Sequence, residues 1–353
     1  GAPGTPGLTG TNSSISGQSS WKRISDAEGG DFVTVGSLLK GRFHLEREIG
    51  RGGMGVVFKA RDERKVEARD RDPYVAIKVL NDEFRRHPDS LISLQRESRR
   101  SQQLAHDNIV RVFDFDKDRT IVFMTMEYID GADLKSLIRE RAYNGMPLAQ
   151  ARPLIEGMAN ALTRAHSAGV VHSDFKPANV MVTEYGGIKI MDFGIAHVAG
   201  AEHITAAGFM MGTPAYMAPE RVLGQNVDAR SDLYSVGVLF YRLITGCLPY
   251  KAGTPAEMAQ RVLSDEPTPA RVHRPDLPGW CQAILDRALA KSPAERFQNA
   301  EVFRATLVSA ISGVGSEETG LFATPDPATT QIPDLMTATD LSSRTVDQTA
   351  STA

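Results

Sequence analysis

The sequence is poor in cysteine, in aromatic residues and in net charge. Its 353 residues hold two cysteines, Cys247 and Cys281, and only 7% aromatics. Two cysteines cannot build a disulfide framework. Neither has a CxxC partner, so a zinc site of that kind is excluded and a reducing compartment is expected. Forty Lys and Arg stand against 43 Asp and Glu, a formal charge of −3. That balance supplies no bulk positive field for nucleic acid, and no nucleic-acid partner is expected. Long apolar runs are also missing. The longest lies within LYSVGVLFY (233–241), about half of the roughly 20 residues a membrane span needs. Residues 1–20 have no basic start and no apolar block, so no signal peptide is expected.

What is present is ordinary in amount but uneven in place. Hydrophobic residues make up 41% and charged residues 24%, enough to bury a full core. At roughly 150 residues per domain the length suggests two units or one bilobed one. Residues 1–31 are rich in Gly, Ser, Thr and Pro, with Trp21 as their one aromatic. The last 42 residues (312–353) hold 14 Ser or Thr, no Lys and one Arg, Arg344. Neither end buries enough apolar surface to offset its ordering entropy. Residues 1–42 are therefore expected to be mostly disordered, and 308–353 to form a disordered Thr/Ser-rich tail. No internal repeat is evident, and regular periodicity runs over 43–307.

The first part of that stretch reads as strands. FHLEREIG alternates and leads into a Gly-rich turn. VVFKA, YVAIKVL, RVFDF and IVFMTMEYI follow as further strands, with a charged loop over 61–72. Residues 89–104 read as a helix capped by Asp89 or Ser90. After about residue 131 the chain becomes mainly helical. ARPLIEGMANALTRAHSAG reads as a helix ending at Gly169, IKIMDFG as a short strand, and SDLYSVGVLFYRLITG as a buried helix.

Gly50, Gly52 and Gly55 stand in GxGxxG spacing within GRGGMGVV. Glycines let backbone amides approach phosphate oxygens. A dinucleotide-binding fold would follow this loop with a helix. Here the strand-like VVFKA follows, which favours a hairpin flap over a triphosphate; a plain glycine hairpin is the alternative. No Gly-Lys-Ser/Thr occurs, so a Walker A loop is absent. Lys78 ends VAIK inside an apolar strand, either as an edge lysine or as a cation aimed at α/β phosphates. Glu97, in the following helix, is its natural partner.

HSDFKPAN is more specific. It places Asp174, Lys176 and Asn179 in D-x-K-x-x-N spacing after Val170 and Val171. An aspartate can accept a hydrogen bond from an attacking hydroxyl and take its proton late. The lysine two residues on can reach a γ-phosphate, and the asparagine can ligate a metal. Asp192, followed by Phe193 and Gly194, can bridge Mg²⁺ to phosphates.

Taken in order, GRGGMGVV, VAIK, Glu97, HSDFKPAN, DFG, GTPAYMAPE, SDLYSVG and Arg296 resemble the eukaryotic-like protein kinases, specifically the bacterial Hanks-type serine/threonine kinases. The resemblance implies an α+β bilobed fold: an antiparallel N-lobe (43–127) with one helix and a larger helical C-lobe (128–307). It implies ATP with Mg²⁺ or Mn²⁺, protein substrates and autophosphorylation. Gly50, Gly52 and Gly55 would cover ATP, while Ile49, Val57 and Ala76 would sandwich adenine. Lys78 would pair with Glu97. Met126 would be the gatekeeper, and Glu127 to Ile129 the hinge. Asp174 would be the base, Lys176 a γ-phosphate contact, and Asn179 and Asp192 the metal ligands. Glu220 would pair with Arg296, and Asp232 would anchor the catalytic loop. Thr213 would either bridge Asp174 and Lys176 or cap the following turn.

Three further expectations follow. Ser173 stands where the family usually has arginine, and it cannot make that arginine's contact with a phosphorylated activation loop. Thr205 is the one acceptor in that loop before Thr213, so weak dependence on its phosphorylation is expected. Ser101 replaces a commonly apolar residue one turn after Glu97. In the tail, Thr337 and Asp340 have the Thr-x-x-Asp form favoured by forkhead-associated (FHA-type) phosphothreonine-binding partners; a plain linker is the alternative. In similar bacterial kinases this region is often juxtamembrane. The resemblance thus implies a cytoplasmic kinase domain, with an inner-membrane anchor outside this sequence left open, and a transient homodimer. Intact Lys78, Asp174 and Asp192 argue against a pseudokinase. GTPAYMAPE and SDLYSVG argue against a small-molecule kinase.

Overall fold

The computed structural model describes residues 33–52, 55–81, 102–193 and 214–317, the last five of these by backbone alone. The N-terminal lobe is an antiparallel sheet. Its strands are β1 (Leu38–Leu39), β2 (Phe43–Gly52), β3 (Gly55–Asp62), β4 (Tyr74–Leu80), β5 (Val112–Asp118) and β6 (Ile121–Glu127), in the order β1-β2-β3-β4-β6-β5. Alternation assigns the faces, because successive side chains point to opposite sides of a strand. Phe43, Leu45, Phe58, Ala60, Val75, Ile77, Ile121 and Phe123 bury one face. Phe43 and Phe123 meet edge-on with ring centroids 6.0 Å apart. Ala76, Leu80, Val122, Met124 and Met126 cover the other face. That second face looks into the cleft between the lobes.

Two expectations about the N-terminal part need correction. Residues 38–39 lie in the segment expected to be mostly disordered, yet they form β1 and pair with His44 and Phe43. Leu39 is 2% exposed, and Lys40 closes an ion pair of 3.1 Å with Asp116. The Gly/Ser-rich composition of residues 1–31 masked this short apolar stitch. The charged stretch 61–72 contains a short helix, α1 (Glu63–Glu67). Asp62 caps it by accepting from the Arg64 amide, and also takes a two-pronged contact of 2.8 and 2.6 Å from Arg42. The helix expected over 89–104 lies outside the described residues except for its last three.

The C-terminal lobe opens with β7 (Gly131–Asp133), α2 (Leu134–Arg141) and α3 (Leu148–Ser167). The strands β8 (Val180–Thr183) and β9 (Ile188–Ile190) then join β7 in a small antiparallel sheet. After a short α4 (Pro219–Val222) comes α5 (Ala229–Thr245), followed by α6 (Pro255–Ser264), α7 (Ala270–His273), α8 (Gly279–Ala288) and α9 (Ala300–Glu317). A capping box of Asp228 and Ser231 starts α5, and left-handed Gly246 ends it. These are the start and stop signals its sequence carries. Its apolar residues are buried on all sides, as expected of a helix hydrophobic all round. Gly237 lets α8 approach: a Cβ there would lie 2.7 Å from the Ala288 Cβ.

The C-terminal boundary also shifts. The tail was expected to be disordered from residue 308, but α9 runs to Glu317. Leu307 is buried, and Ala310 and Ile311 pack against the same core. The Ser/Thr count from 312 onward concealed the apolar face of the preceding turns. Among the described residues no helix is long and apolar enough to cross a membrane.

Candidate active site

The loop between α3 and β8 carries His172 to Asn179. Its shape is imposed from below by Asp232, near the start of α5. Asp232 Oδ2 accepts from the His172 amide at 2.8 Å, and Oδ1 accepts from the Ser173 amide at 2.9 Å. His166 Nε2, at the end of α3, lies 2.8 Å from Oδ2. The His172 ring is fixed at both nitrogens. The Asp174 amide donates to Nδ1 at 3.2 Å, and Nε2 lies 3.0 Å from the Met191 carbonyl oxygen. Phe175 and Phe193 pack edge-on against the same ring. Held this way, Ser173 adopts φ +66°, a left-handed conformation that costs a non-glycine residue roughly 1–2 kcal/mol.

Asp174 is thereby presented to the cleft. Lys176 Nζ donates to its Oδ2 at 2.5 Å. Asn179 Nδ2 donates to the Asp174 carbonyl oxygen at 2.9 Å. That bond turns the amide's donor side inward and commits the loop to a single fold from Asp174 to Asn179.

β4 supplies the facing wall. Register pairs Ala76 with Met126, Lys78 with Met124, and Val57 with Lys78. Val57, Ala76, Met126 and Ile129 share one apolar cluster with Met191. Lys78 projects from this face, and its Nζ meets Asp192 Oδ1 at 2.8 Å. Burial pushes the Asp192 carboxyl up, but the charge and hydrogen bond of Lys78, helped by His172 and Lys176, leave it below the usual carboxylate range. Asp192 itself has φ +66°. Strained backbone of this kind clusters at active sites. The expected partner of Lys78, Glu97, lies outside the described residues, as do Ser101, Gly194, Thr205, Thr213, Thr337 and Asp340.

Beside this wall β2 and β3 stay paired as far as Gly52 and Gly55. At Gly55, with φ +153°, a Cβ would sit 2.0 Å from the Val79 carbonyl oxygen, so only glycine fits. Gly50 is half-buried and Gly52 exposed at the hairpin end. Ile49 is 41% exposed and stands apart from the apolar cluster of Val57, Ala76 and Met126. In the hinge, the Glu127 amide already donates to the Arg111 carbonyl at 2.9 Å. Its carboxylate holds Lys189 at 2.9 Å. The amide and the carboxylate of Glu127 are thus both engaged within the protein.

Behind the loop, Glu220 is clamped by Arg296 through contacts of 2.7 and 2.8 Å, and by Ser231 at 2.6 Å. This matches the pairing expected of them. Burial raises the Glu220 carboxyl, and the Arg296 and Ser231 hydrogen bonds bring it below its ordinary value.

Three neighbours were not anticipated. Arg221 Nη1 lies 3.5 Å from Asp174 Oδ1, Lys189 meets Glu127, and His166 meets Asp232. His166 lies six residues before His172 at the end of an apolar helix, a placement that could have suggested it. Arg221 and Lys189 reach their partners through tertiary structure alone.

Comparison with known proteins agrees with this geometry. Residues 43–308 match the protein kinase domain family. The chain is 38% identical over 287 residues to the serine/threonine-protein kinase pkn3 of Myxococcus xanthus, covering 77% of this chain and 50% of that protein. It is 35% identical over 286 residues to the serine/threonine-protein kinase PknB of Mycobacterium leprae, covering 80% of this chain and 45% of that one. The chain thus spans about half the length of the curated relatives it matches. The crystal structure of the Mycobacterium tuberculosis PknI kinase domain superposes with a TM-score of 0.61 at 26% identity, covering 79% of this chain and 99% of that one. From Gly-rich hairpin to buried Glu220–Arg296 clamp, sequence, fold and relatives agree, and the chain belongs to the protein kinase domain family, among the bacterial Hanks-type serine/threonine kinases.

Proposed function

We propose that the cleft binds ATP and that the chain transfers its γ-phosphoryl group to serine and threonine hydroxyls of protein substrates, its own chain included. The observation that carries this reading is the convergence of Asp174, Lys176, Asn179, Lys78 and Asp192 from three separate segments. They meet beside an apolar slot formed by Val57, Ala76, Met126 and Ile129.

The slot takes adenine, with Ile49 at its outer rim and the backbone of Glu127 to Ile129 along its edge. Gly50, Gly52 and Gly55 cover the phosphates, and Lys78, braced by Glu97, neutralises the α and β groups. Asp174 accepts the hydrogen bond of the substrate hydroxyl. That oxygen forms the new P–O bond as the bond to the β-phosphate oxygen breaks. The hydroxyl proton passes late to Asp174, and ADP leaves. Lys176 balances the charge spread over the γ-oxygens. Positioning and electrostatics supply nearly all the catalysis such a transfer needs.

Protein kinases use ATP with a divalent metal. Asn179 and Asp192 offer an amide and a carboxylate, a hard-oxygen donor set that suits Mg²⁺ or Mn²⁺. Among the described residues no cluster of three or more His, Cys, Asp or Glu could hold a metal, so the nucleotide's oxygens would complete the site. The metal would supply charge neutralisation on the phosphates.

The test is transfer of label from radiolabelled ATP to the chain itself and to a generic basic protein. Asp174→Asn should lower the rate by roughly 10²–10⁴-fold, the worth of a positioned acid–base group, with thermal melting unchanged. Asp192→Asn should abolish transfer. An Asp174→Asn rate within tenfold of the unsubstituted chain would overturn the assignment.

The tail reading extends this. Phosphorylated Thr337, with Asp340 three residues on, would dock a forkhead-associated partner, and a transient homodimer through the small lobe would let one copy modify another. Mass spectrometry after incubation with ATP should find phosphate on the tail; an unmodified tail removes the docking idea.

A further inference from the structure

Arg221 is the residue after Glu220, on the short helix α4. Its amide donates to the Ala218 carbonyl at 3.0 Å, and the residue before it is clamped in the core. Glu220 is held by Arg296 and Ser231, and Arg296 is itself fully buried, donating to the carbonyl oxygens of Ala290, Arg230 and Lys291. From this mount the Arg221 side chain, 20% exposed, reaches Asp174 Oδ1 at 3.5 Å. Lys176 holds the other oxygen, Oδ2. The carboxylate of Asp174 therefore stands between two cations, one from its own loop and one from a different element.

The contact has little to offer stability. At 3.5 Å it is a charge–charge contact rather than a short hydrogen bond. Ion pairs open to solvent contribute about 0–1 kcal/mol. Its consequence lies in orientation. A carboxylate turns easily about its terminal torsion, which has broad, two-fold preferences. A base works only when one lone pair faces the hydroxyl. Among the described residues, Lys176 alone would fix one oxygen and leave the plane free to swing about that anchor. A second cation, on a rigid mount, fixes the plane. Ser173, next to Asp174, brings no charge to this carboxylate, and Arg221 supplies one from α4.

We propose that Arg221 is a positioning residue that sets the plane of the Asp174 carboxylate for the phosphoryl-acceptor hydroxyl. This rests on the reading of Asp174 as the base. Arg221 acts through Asp174 and binds neither nucleotide nor metal.

The test is steady-state transfer to a serine or threonine peptide by the full chain, with Arg221→Met, Arg221→Lys, Asp174→Asn and the Arg221→Met, Asp174→Asn double variant. Methionine keeps the aliphatic stem and its packing. Arg221→Met should lower kcat roughly tenfold, since small misplacements of a reacting group are costly. KM for ATP and Tm should stay unchanged, and Arg221→Lys should recover part of the rate. In the Asp174→Asn background the same methionine change should alter kcat less than about twofold, because no base remains to orient. Equal losses in both backgrounds, a rise in peptide KM alone, a fall in Tm that accounts for the loss, or no change in kcat would each overturn the proposal. If Asp174→Asn alone retains full activity, it is the assignment of the base that fails, a result distinguishable from all of these.

Discussion

Asp232 is 1% exposed, yet its two oxygens face the His172 amide, the Ser173 amide and the His166 ring. These contacts keep Ser173 in its left-handed conformation and so aim Asp174. Replacing Asp232 by alanine orphans two buried backbone donors, each worth about 1–3 kcal/mol when left unpaired. Asp232→Ala should lose about 3–5 kcal/mol of stability, read by urea unfolding. It should also lose more than roughly a hundredfold in transfer rate as the loop relaxes. Asp232→Asn, which keeps one acceptor oxygen, should sit between, and it answers the question if the alanine variant does not fold. A transfer rate for Asp232→Ala within twofold of the unsubstituted chain would contradict this role. Asp232 was legible in the sequence because it opens a recognisable buried helix. Asp174, Lys176 and Asn179 were legible because they share one loop, where spacing in sequence is spacing in space. Arg221 lies 47 positions beyond Asp174, and no local pattern can report a distance closed by the fold.

Elements here are joined by a few buried polar contacts within apolar packing. The principal one is Glu220 with Arg296, which ties α4 to the turn after α8. Arg296 is 1% and Glu220 7% exposed. Removing one partner strands the other charge. Glu220→Gln should cost about 3–5 kcal/mol, the usual consequence of an uncompensated buried charge. The pair also sets a pH dependence. Burial raises the Glu220 carboxyl, but the hydrogen bonds from Arg296 and Ser231 prevail, so its folded value lies below 4.5. A carboxyl lowered on folding contributes its stability fully above its unfolded value. It loses that contribution as pH falls through the folded value. The stability gap between the unsubstituted chain and Glu220→Gln should therefore be widest near neutral pH and narrow below about pH 4.5. Urea unfolding from pH 7 to pH 3 reads this, and a gap that stays constant would show that the ionised carboxylate is not the stabilising form. The helices α3 and α5 were readable from their apolar density. The helix α1 was not, because its five residues carry no apolar face; it is capped by Asp62, which Arg42 holds from beneath.

At the scale of the molecule, two lobes enclose one cleft, and the length that suggested two domains resolves into these lobes plus two ends. The lobes join along more than the hinge: the Val110 amide donates to the Ile190 carbonyl, and the Ile190 amide donates to the Asn108 carbonyl, each at 2.8 Å. The kinase family match closes at residue 308, and the sequence periodicity ends one residue earlier, at 307. The physical unit extends further. The helix α9 continues to Glu317 and lies along α3, with Ala310 and Ile311 packed on the C-lobe core. Composition missed this because Ser/Thr counting averages over a window, whereas one isoleucine at the right turn decides whether a helix docks. Ending the chain at residue 307 would remove Ala310 and Ile311 and cut α9 short. The apolar area lost corresponds to about 1–3 kcal/mol. At roughly 2–4 °C per kcal/mol for a domain of this size, Tm should fall by about 2–12 °C. Ending it at residue 317 keeps these contacts and should leave Tm within about 1 °C, inside the ±0.5 kcal/mol typical of changes away from packed features. Thermal melts of the two truncations against the full chain separate the cases. Equal Tm values for both would mean that the last turns of α9 contribute nothing to the fold, and that the stable unit stops where the sequence periodicity does.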